Sequence, residues 1–200
     1  TCFNSQLSVA VPSRKMFDNY LYLSSTTDTF KLHFEELAKK LKMELNLTEK
    51  SLVVDIGSND GIFLKPLLDY GIEALGVEPA KNVAKIANKN GFKTVNRYFD
   101  EKCIKKISSE YGKADVVTAF NVFAHADNLK GILNNVSKLL KKKGVFVFEV
   151  QYLLRTLSDL TFDNIYHEHF NYWCLLSLQN LFKYSDLNIY KVEEVDTHGG

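Results

Sequence analysis

Apolar positions along the chain follow two alternating rhythms. Between residues 26 and 43, Phe30, Phe34, Leu37 and Leu41 recur at spacings of four, three and four, the stripe of an amphipathic helix. Ser24, Ser25 or Thr26 could cap it. The run Ser51-Leu52-Val53-Val54-Asp55-Ile56 is short, β-branched and followed by a glycine, which predicts a buried strand. From there the pattern predicts helix 60–70, strand 72–77, helix 80–90, a short strand at 92–95 and helix 100–111. Strand 114–119, helix 128–142 and strand 144–150 follow. Strands separated by helices of this length imply right-handed crossovers, and so an α/β domain with a doubly wound, mostly parallel sheet covered on both faces. Beyond residue 151 the alternation weakens into an aromatic, histidine-rich stretch over 162–173, a helix at 175–184 and a last strand at 187–195. No internal repeat or low-complexity stretch competes with this reading.

At 200 residues and 46% hydrophobic content the chain can bury one substantial core. We divide it into an N-terminal segment, 1–45, and a main domain, 46–200. Lysine and arginine number 25 against 24 acidic residues, a net charge of +1, so no global field steers it onto nucleic acid or an anionic membrane. The local cluster Lys138, Lys141, Lys142 and Lys143 falls where a helix is expected to end, and reads as a solvated last turn complementing the helix dipole. Cys2, Cys103 and Cys174 are scattered without a CxxC pair, which suggests a reducing, cytoplasmic location. No run of about 18 apolar residues and no signal-peptide layout is present. Because the chain starts at Thr1 and stops at His198-Gly199-Gly200, directly after a predicted strand, both ends are expected to be cut.

Open parallel sheets bind ligands beyond the carboxyl ends of their strands, beside the first one. Here that place is Asp55-Ile56-Gly57-Ser58-Asn59-Asp60-Gly61. Gly57 and Gly61 permit a tight turn and close backbone approach, and Asp55 offers a carboxylate to a cation. A dinucleotide site would show G-x-G-x-x-G at this point. Only G-x-x-x-G is present, with acids at both Asp55 and Asp60. Two carboxylates repel a pyrophosphate but suit the ammonium and sulfonium ends of S-adenosylmethionine. Glu78, at the end of the second strand with Pro79 after it, is placed to accept hydrogen bonds from both ribose hydroxyls. Asn96, Arg97, Tyr98 and Phe99 offer stacking and edge contacts to adenine, and Asn121 faces the same cleft with Val122 and Phe123 beside it. These features predict a Rossmann-like, class I S-adenosylmethionine-dependent methyltransferase fold. Cofactor contacts are expected from Asp55, Gly57, Ser58, Asn59, Gly61, Glu78, Pro79 and Asn121.

The same residues carry a resemblance. Tyr20-Leu21-Tyr22-Leu23-Ser24-Ser25, the stretch from Val54 to Gly61, Gly76-Val77-Glu78-Pro79-Ala80, Asn121-Val122-Phe123-Ala124-His125, Phe148-Glu149-Val150, Tyr166-His167-Glu168-His169 and Thr197-His198-Gly199-Gly200 span nearly the whole chain. Together they resemble bacterial sugar C-methyltransferases that act on nucleotide-linked 4-keto-deoxysugars. That resemblance implies three parts: an N-terminal zinc module, a central methyltransferase domain and a C-terminal domain that helps hold the nucleotide sugar. Cys2 looks like the last ligand of the zinc module. A single thiolate cannot make a tetrahedral zinc site, so no metal is expected. His198-Gly199-Gly200 resembles the turn into a final antiparallel strand, which the sheet would then lack.

Methylating carbon beside a ketone requires removal of an acidified C–H proton, stabilisation of the enolate and attack on the sulfonium methyl. The resemblance assigns these roles to Tyr166, Glu168 and His169. His169 is the expected general base; Glu168 could orient or replace it, and Tyr166 could hydrogen-bond the enolate oxygen. His125 and Tyr22 would complete the sugar pocket, with Tyr20 as the alternative to Tyr22. His167 and His169 lack further ligands nearby for a metal. Tyr172 and Trp173 read as packing residues, and Glu149 has no assigned role. The expected partner is a nucleotide-linked sugar, with no nucleic acid and no membrane; oligomeric state is left open. Two other functions fit: a methyltransferase with a different small acceptor, or a fragment that binds cofactor without turnover. A nicotinamide oxidoreductase fits poorly, for want of the third glycine.

Overall fold

The computed structural model describes residues 2–197. Its elements, in chain order, are β1 (Ser5–Gln6), α1 (Ser13–Phe17), α2 (Asp28–Glu44), β2 (Leu52–Ile56), α3 (Leu64–Asp69), β3 (Glu73–Val77), α4 (Lys81–Lys89) and β4 (Thr94–Val95). They continue through α5 (Glu101–Glu110), β5 (Ala114–Phe120), α6 (Leu129–Leu139), β6 (Leu140–Glu149), α7 (Leu153–Ser158), β7 (Asn171–Tyr172) and α8 (Leu175–Phe182). Among the described residues, five strands form one parallel sheet in the order β4-β3-β2-β5-β6. The chain therefore starts the sheet in its middle, runs to one edge and returns to build the other half. That reversal beside β2 creates the crevice in which such sheets bind ligands.

Every residue of β2 is buried, as its apolar run predicts for a strand covered on both faces. One face carries a core of Val54, Ile56, Leu75, Val117, Ile107, Leu133 and Val136, closed by α5 and α6. The other carries Val53, Ala74 and Val116 under α2 and α3, where Phe34 of α2 meets Phe63 and Phe120 with ring centroids 5.6 and 5.0 Å apart. The helix expected at 26–43 is thus an integral layer of the domain. A 3-10 turn (Ser24–Thr26) precedes it, and its N-cap is Thr27 without a side-chain cap bond, in place of the expected Ser24, Ser25 or Thr26.

Four further expectations need correction. The helix after β2 begins at Leu64 rather than residue 60, because Asn59 and Gly61 hold positive φ (49° and 90°) and keep the chain in a turn. The helix expected over 128–142 ends at Leu139, and Lys141, Lys142 and Lys143 belong to β6. Only Lys138 occupies the last helical turn, where it pairs with Glu101; Lys141 pairs with Asp115. The segment 187–195 runs extended but pairs with no strand. Leu187 and Ile189 pack on the core, while Lys191 and Glu193 are tied to Glu44 and Lys40 of α2. A cavity of about 1130 Å³ lies between this segment and β6, so no backbone ladder forms between them. Thr197 is the last described residue, and the turn expected at His198-Gly199-Gly200 lies outside the described residues.

No described helix is long and apolar enough to cross a membrane. Phe63 is fully buried where α2, α3 and the sheet meet, so replacing it leaves a cavity that rigid neighbours cannot fill. Phe63→Ala is expected to lower unfolding free energy by about 3–5 kcal/mol, read as a shift in the urea midpoint with unchanged slope.

Candidate active site

The carboxyl ends of β2, β3 and β5 open into a cavity of about 880 Å³. Its floor begins at Asp55, the penultimate residue of β2, whose side chain is 3% exposed and accepts a hydrogen bond from the Thr118 hydroxyl at 2.6 Å. Burial pushes its carboxyl up to about 7, with Thr118 opposing and Glu78 and Glu149 adding to the rise. Gly57 follows with φ 68°, and a Cβ there would come within 2.7 Å of Val122. The glycine is required both by conformation and by the loop that crosses it.

Glu78 stands across the cleft, 6% exposed. Its Oε2 accepts from the Asn59 N–H at 3.0 Å and its Oε1 from the Ala80 N–H at 2.8 Å, which fixes the carboxylate at the mouth of β3. Burial raises its pKa and the two amides pull it back. Ser58, Asn59, Pro79 and Asn121 also line the cavity, as do Arg97, Tyr98 and Phe99 from the loop after β4. Asn121 holds φ 56° and is anchored by its N–H to the Glu149 carbonyl.

Three residues singled out from the sequence face elsewhere. Gly61 lies outside the cavity, and its missing Cβ makes room for the Phe92 ring. Asp60 turns away from the cleft and accepts from the Ser25 N–H and hydroxyl, so it does not supply the second carboxylate expected beside Asp55. Asn96 spends its amide on the Glu78 and Pro79 carbonyls, at 2.9 and 2.8 Å.

At the far end of the same cavity the histidine-rich segment folds over the loop after β5. The His125 and His169 rings lie 4.9 Å apart, and Tyr166 lies 4.4 Å from His169. His125 Nδ1 is 2.7 Å from the Glu168 carbonyl and His169 Nδ1 is 2.8 Å from the Asn164 carbonyl. A carbonyl can only accept, so each Nδ1 carries the proton and each Nε2 keeps a lone pair. Burial drives His125 down to about 4 and also lowers His169, although the neighbouring carbonyls and Glu168 pull the other way. Both are neutral bases at pH 7. Glu168 accepts from the Tyr166 hydroxyl at 3.4 Å. The Tyr20 phenol is raised by burial first and by the nearby Glu168 charge second. Tyr20 and Tyr22 both line the cavity, their rings 6.4 Å apart. His167 is exposed, and no group of three or more metal-ligating side chains occurs among the described residues.

Sequence reasoning missed two features. Asn171 is 5% exposed and donates to the Phe123 and Ala126 carbonyls while accepting from Asn4 and Gln6; with β1 pairing β7, it locks the histidine-rich segment onto the β5 loop. Glu149, left unassigned, pairs at 2.7 Å with His33 of α2, whose pKa rises through that bond. An asparagine between two buried aromatics, Phe170 and Tyr172, carries no local signal of such a role, and the ion pair joins residues too far apart in sequence to suggest each other.

A parallel sheet reversing beside its first strand, a glycine turn after that strand and an acid after the next define a Rossmann-like, class I S-adenosylmethionine-dependent methyltransferase. The chain belongs to the family described as "Methyltransferase domain", whose profile matches residues 14–192. It is 35% identical over 199 residues to "C-methyltransferase NovU" of Streptomyces niveus, covering 100% of this chain and 47% of that protein. It is 28% identical over 141 residues to "Sterol 4-C-methyltransferase strm-1" of Caenorhabditis elegans, covering 66% of this chain and 40% of that one. The chain thus spans about half the length of the curated relatives it matches. Among solved structures, a SAM dependent methyltransferase from Archaeoglobus fulgidus superposes with a TM-score of 0.59 at 22% identity, covering 76% of this chain and 67% of the other. The superposed Archaeoglobus fulgidus protein is itself described as SAM dependent, the cofactor that the sequence reading expects for this chain.

Asp55 has a measurable consequence for folding. Its carboxyl titrates near 3.8 when unfolded and near 7 when folded, so the folded form takes up a proton between those values. The stability this carries is fully present below about pH 4 and lost as pH rises through 7. Asp55→Asn, which stays neutral and still accepts from Thr118, is expected to stabilise the protein at pH 8 by up to roughly 4 kcal/mol and to change little at pH 4. Denaturant unfolding of both proteins at the two pH values checks this.

Proposed function

We propose that this chain transfers a methyl group from S-adenosylmethionine to a carbon beside the ketone of a nucleotide-linked 4-keto-deoxysugar. The observation that carries this reading is the meeting, in one cavity, of the Asp55 and Glu78 carboxylates with two neutral histidines and with Tyr20, Tyr22 and Tyr166. Similarity over the whole chain to a protein named as a C-methyltransferase supports it.

Three features of the cleft fit the cofactor. Asp55 is a buried carboxylate with a raised pKa, suited to an ammonium that would restore its charge. Each Glu78 oxygen takes one amide hydrogen bond and retains a lone pair for a ribose hydroxyl. Gly57 lines the cleft with backbone alone, packed under Val122. When bound, S-adenosylmethionine supplies an electrophilic methyl on a positively charged sulfur.

His169 Nε2 takes the proton from the carbon next to the ketone, its Nδ1–H held by the Asn164 carbonyl so that the lone pair cannot rotate away. Tyr166 or Tyr20 donates to the oxygen on which the enolate charge develops. Glu168, which accepts from the Tyr166 hydroxyl at rest, orients that ring and offsets the charge of the imidazolium while the proton is held. A donor held by Asp55, Gly57 and Glu78 would supply the methyl for the new carbon–carbon bond and leave as a neutral thioether. His125, fixed by the Glu168 carbonyl and flanked by Phe17 at 5.5 Å, walls the acceptor side with Tyr22.

His169→Asn is expected to lower kcat by about 10²–10⁴ while S-adenosylhomocysteine affinity stays within threefold. Radiolabelled methyl transfer and calorimetry measure the two. Methyl transfer to a 4-keto nucleotide sugar but not to its 4-hydroxy form supports the acceptor, since only the ketone acidifies the neighbouring C–H; equal transfer to both removes the enolate route. Because burial lowers His169, its base form persists below the ordinary 6.5, and with the protein saturated by S-adenosylmethionine, so that Asp55 is already paired, the acidic limb of acceptor kcat/KM is expected under that value. A limb above 6.5 would assign the base elsewhere.

A further inference from the structure

The segment from Pro12 to Thr26, which carries Tyr20 and Tyr22, runs along the rim of the cleft, and its bonds go to residues that follow the two cofactor-facing strands. The Asp18 carbonyl accepts from the Lys81 N–H at 3.2 Å and its carboxylate from the Tyr98 hydroxyl at 2.9 Å. Asn82 in the first turn of α4 makes a reciprocal pair with Tyr20: the Tyr20 N–H donates to Asn82 Oδ1 at 3.1 Å, and Asn82 Nδ2 donates to the Tyr20 carbonyl at 2.6 Å. Asn59 repeats the device one step on, donating to the Tyr22 carbonyl at 3.1 Å and accepting from the Ser24 N–H at 3.0 Å. Ser25 then donates to Asp60.

Two asparagine side chains thus stand in for a strand partner. Each offers one donor and one acceptor to a backbone that has no ladder of its own there. Asn59 sits in the turn after β2 and lines the cleft, so removing it disturbs the cofactor loop as well. Asn82 is different. It is half-buried, does not line the cavity, and holds the Tyr20 backbone on both sides of the ring. The Tyr20 side chain reaches from this anchor into the cavity, its ring 6.4 Å from Tyr22 and 5.5 Å from Phe17.

We propose that Asn82 is a positioning residue for the acceptor half of the site, acting from the cofactor half through the Tyr20 backbone. It clamps the rim segment so that the Tyr20 ring and hydroxyl keep their place in the cavity beside Tyr22. The acceptor arm of this inference rests on the function proposed above; the clamp itself does not.

Hydrogen–deuterium exchange over residues 12–26 and steady-state transfer test it, using the full chain saturated with S-adenosylhomocysteine for exchange. Asn82→Ala, with a melting temperature near that of the wild type, is expected to speed exchange at the Tyr20 amide at least tenfold. It lowers acceptor kcat/KM about tenfold, the scale of one or two hydrogen bonds, and leaves S-adenosylhomocysteine affinity within threefold. Asn82→Asp, which keeps the acceptor for the Tyr20 N–H, recovers part of both losses. In a Tyr20→Phe background, Asn82→Ala costs less than threefold in kcat/KM, because the hydroxyl it positions is already gone. Unchanged exchange, additive losses in the double variant, or a fall in cofactor affinity that matches the fall in turnover would each overturn the proposal. If wild-type protein methylates none of the keto sugars, the proposed acceptor falls, and the exchange measurement still decides whether Asn82 holds the segment.

Discussion

The structure depends on the parallel pairing of β2 with β3 on one side and β5 on the other. Because these registers run through Ile56↔Val77 and Ile56↔Ala119, the three strands end at one level. Their carboxyl ends bring Asp55, Glu78 and Asn121 to a single rim, from positions widely separated in the chain. Shifting a strand by one residue would turn every side chain to the other face, so burial of Val53 and Val54 on opposite sides of the sheet fixes where these polar groups point. Core and site share one constraint. The price of a carboxylate at this point is visible in Asp55, whose raised pKa records a charge held where water cannot reach it.

Local features of the site were legible in the sequence, and long-range ones were not. Asp55, Gly57 and Glu78 could be read because strand, turn and acid are encoded within a few residues of one another. The same locality misled at Asp60 and Gly61: the Asp60 carboxylate answers to Ser25, and the bare Gly61 backbone makes room for Phe92, both distant in sequence. The lysine cluster has no periodicity, so nothing in Lys141-Lys142-Lys143 distinguished a helix end from the start of β6. Residues 187–195 alternate like a strand, yet a strand is a property of a pair, and the partner is what local pattern cannot supply.

The acceptor side was named from a resemblance and gains its physical content from hydrogen bonds. His125 and His169 are both pinned through Nδ1 to a carbonyl, which fixes the tautomer and leaves Nε2 free. Neither carbonyl is a motif residue by virtue of its side chain: Asn164 and Glu168 act here through their backbones. Asn171 matters in the same indirect way, holding the loops at Phe123 and Ala126 together. Such roles are invisible in a residue's identity and appear only once the chain has folded back on itself.

Burial shifts the groups around the cleft in a common sense: Asp55 and Glu78 move up, His125 and His169 move down. Each shift favours the neutral form, so before any ligand arrives the cavity carries less charge than its composition suggests. On the proposed reading, a cationic cofactor reverses this at Asp55, drawing the carboxyl to its charged state by a partner that water had not provided. The histidines respond oppositely. A sulfonium nearby disfavours protonating either ring, which keeps His169 unprotonated until a C–H proton is available to it. Loading the cleft would therefore leave Asp55 charged and His169 a free base, the two states that cofactor binding and proton removal each require on the proposed reading.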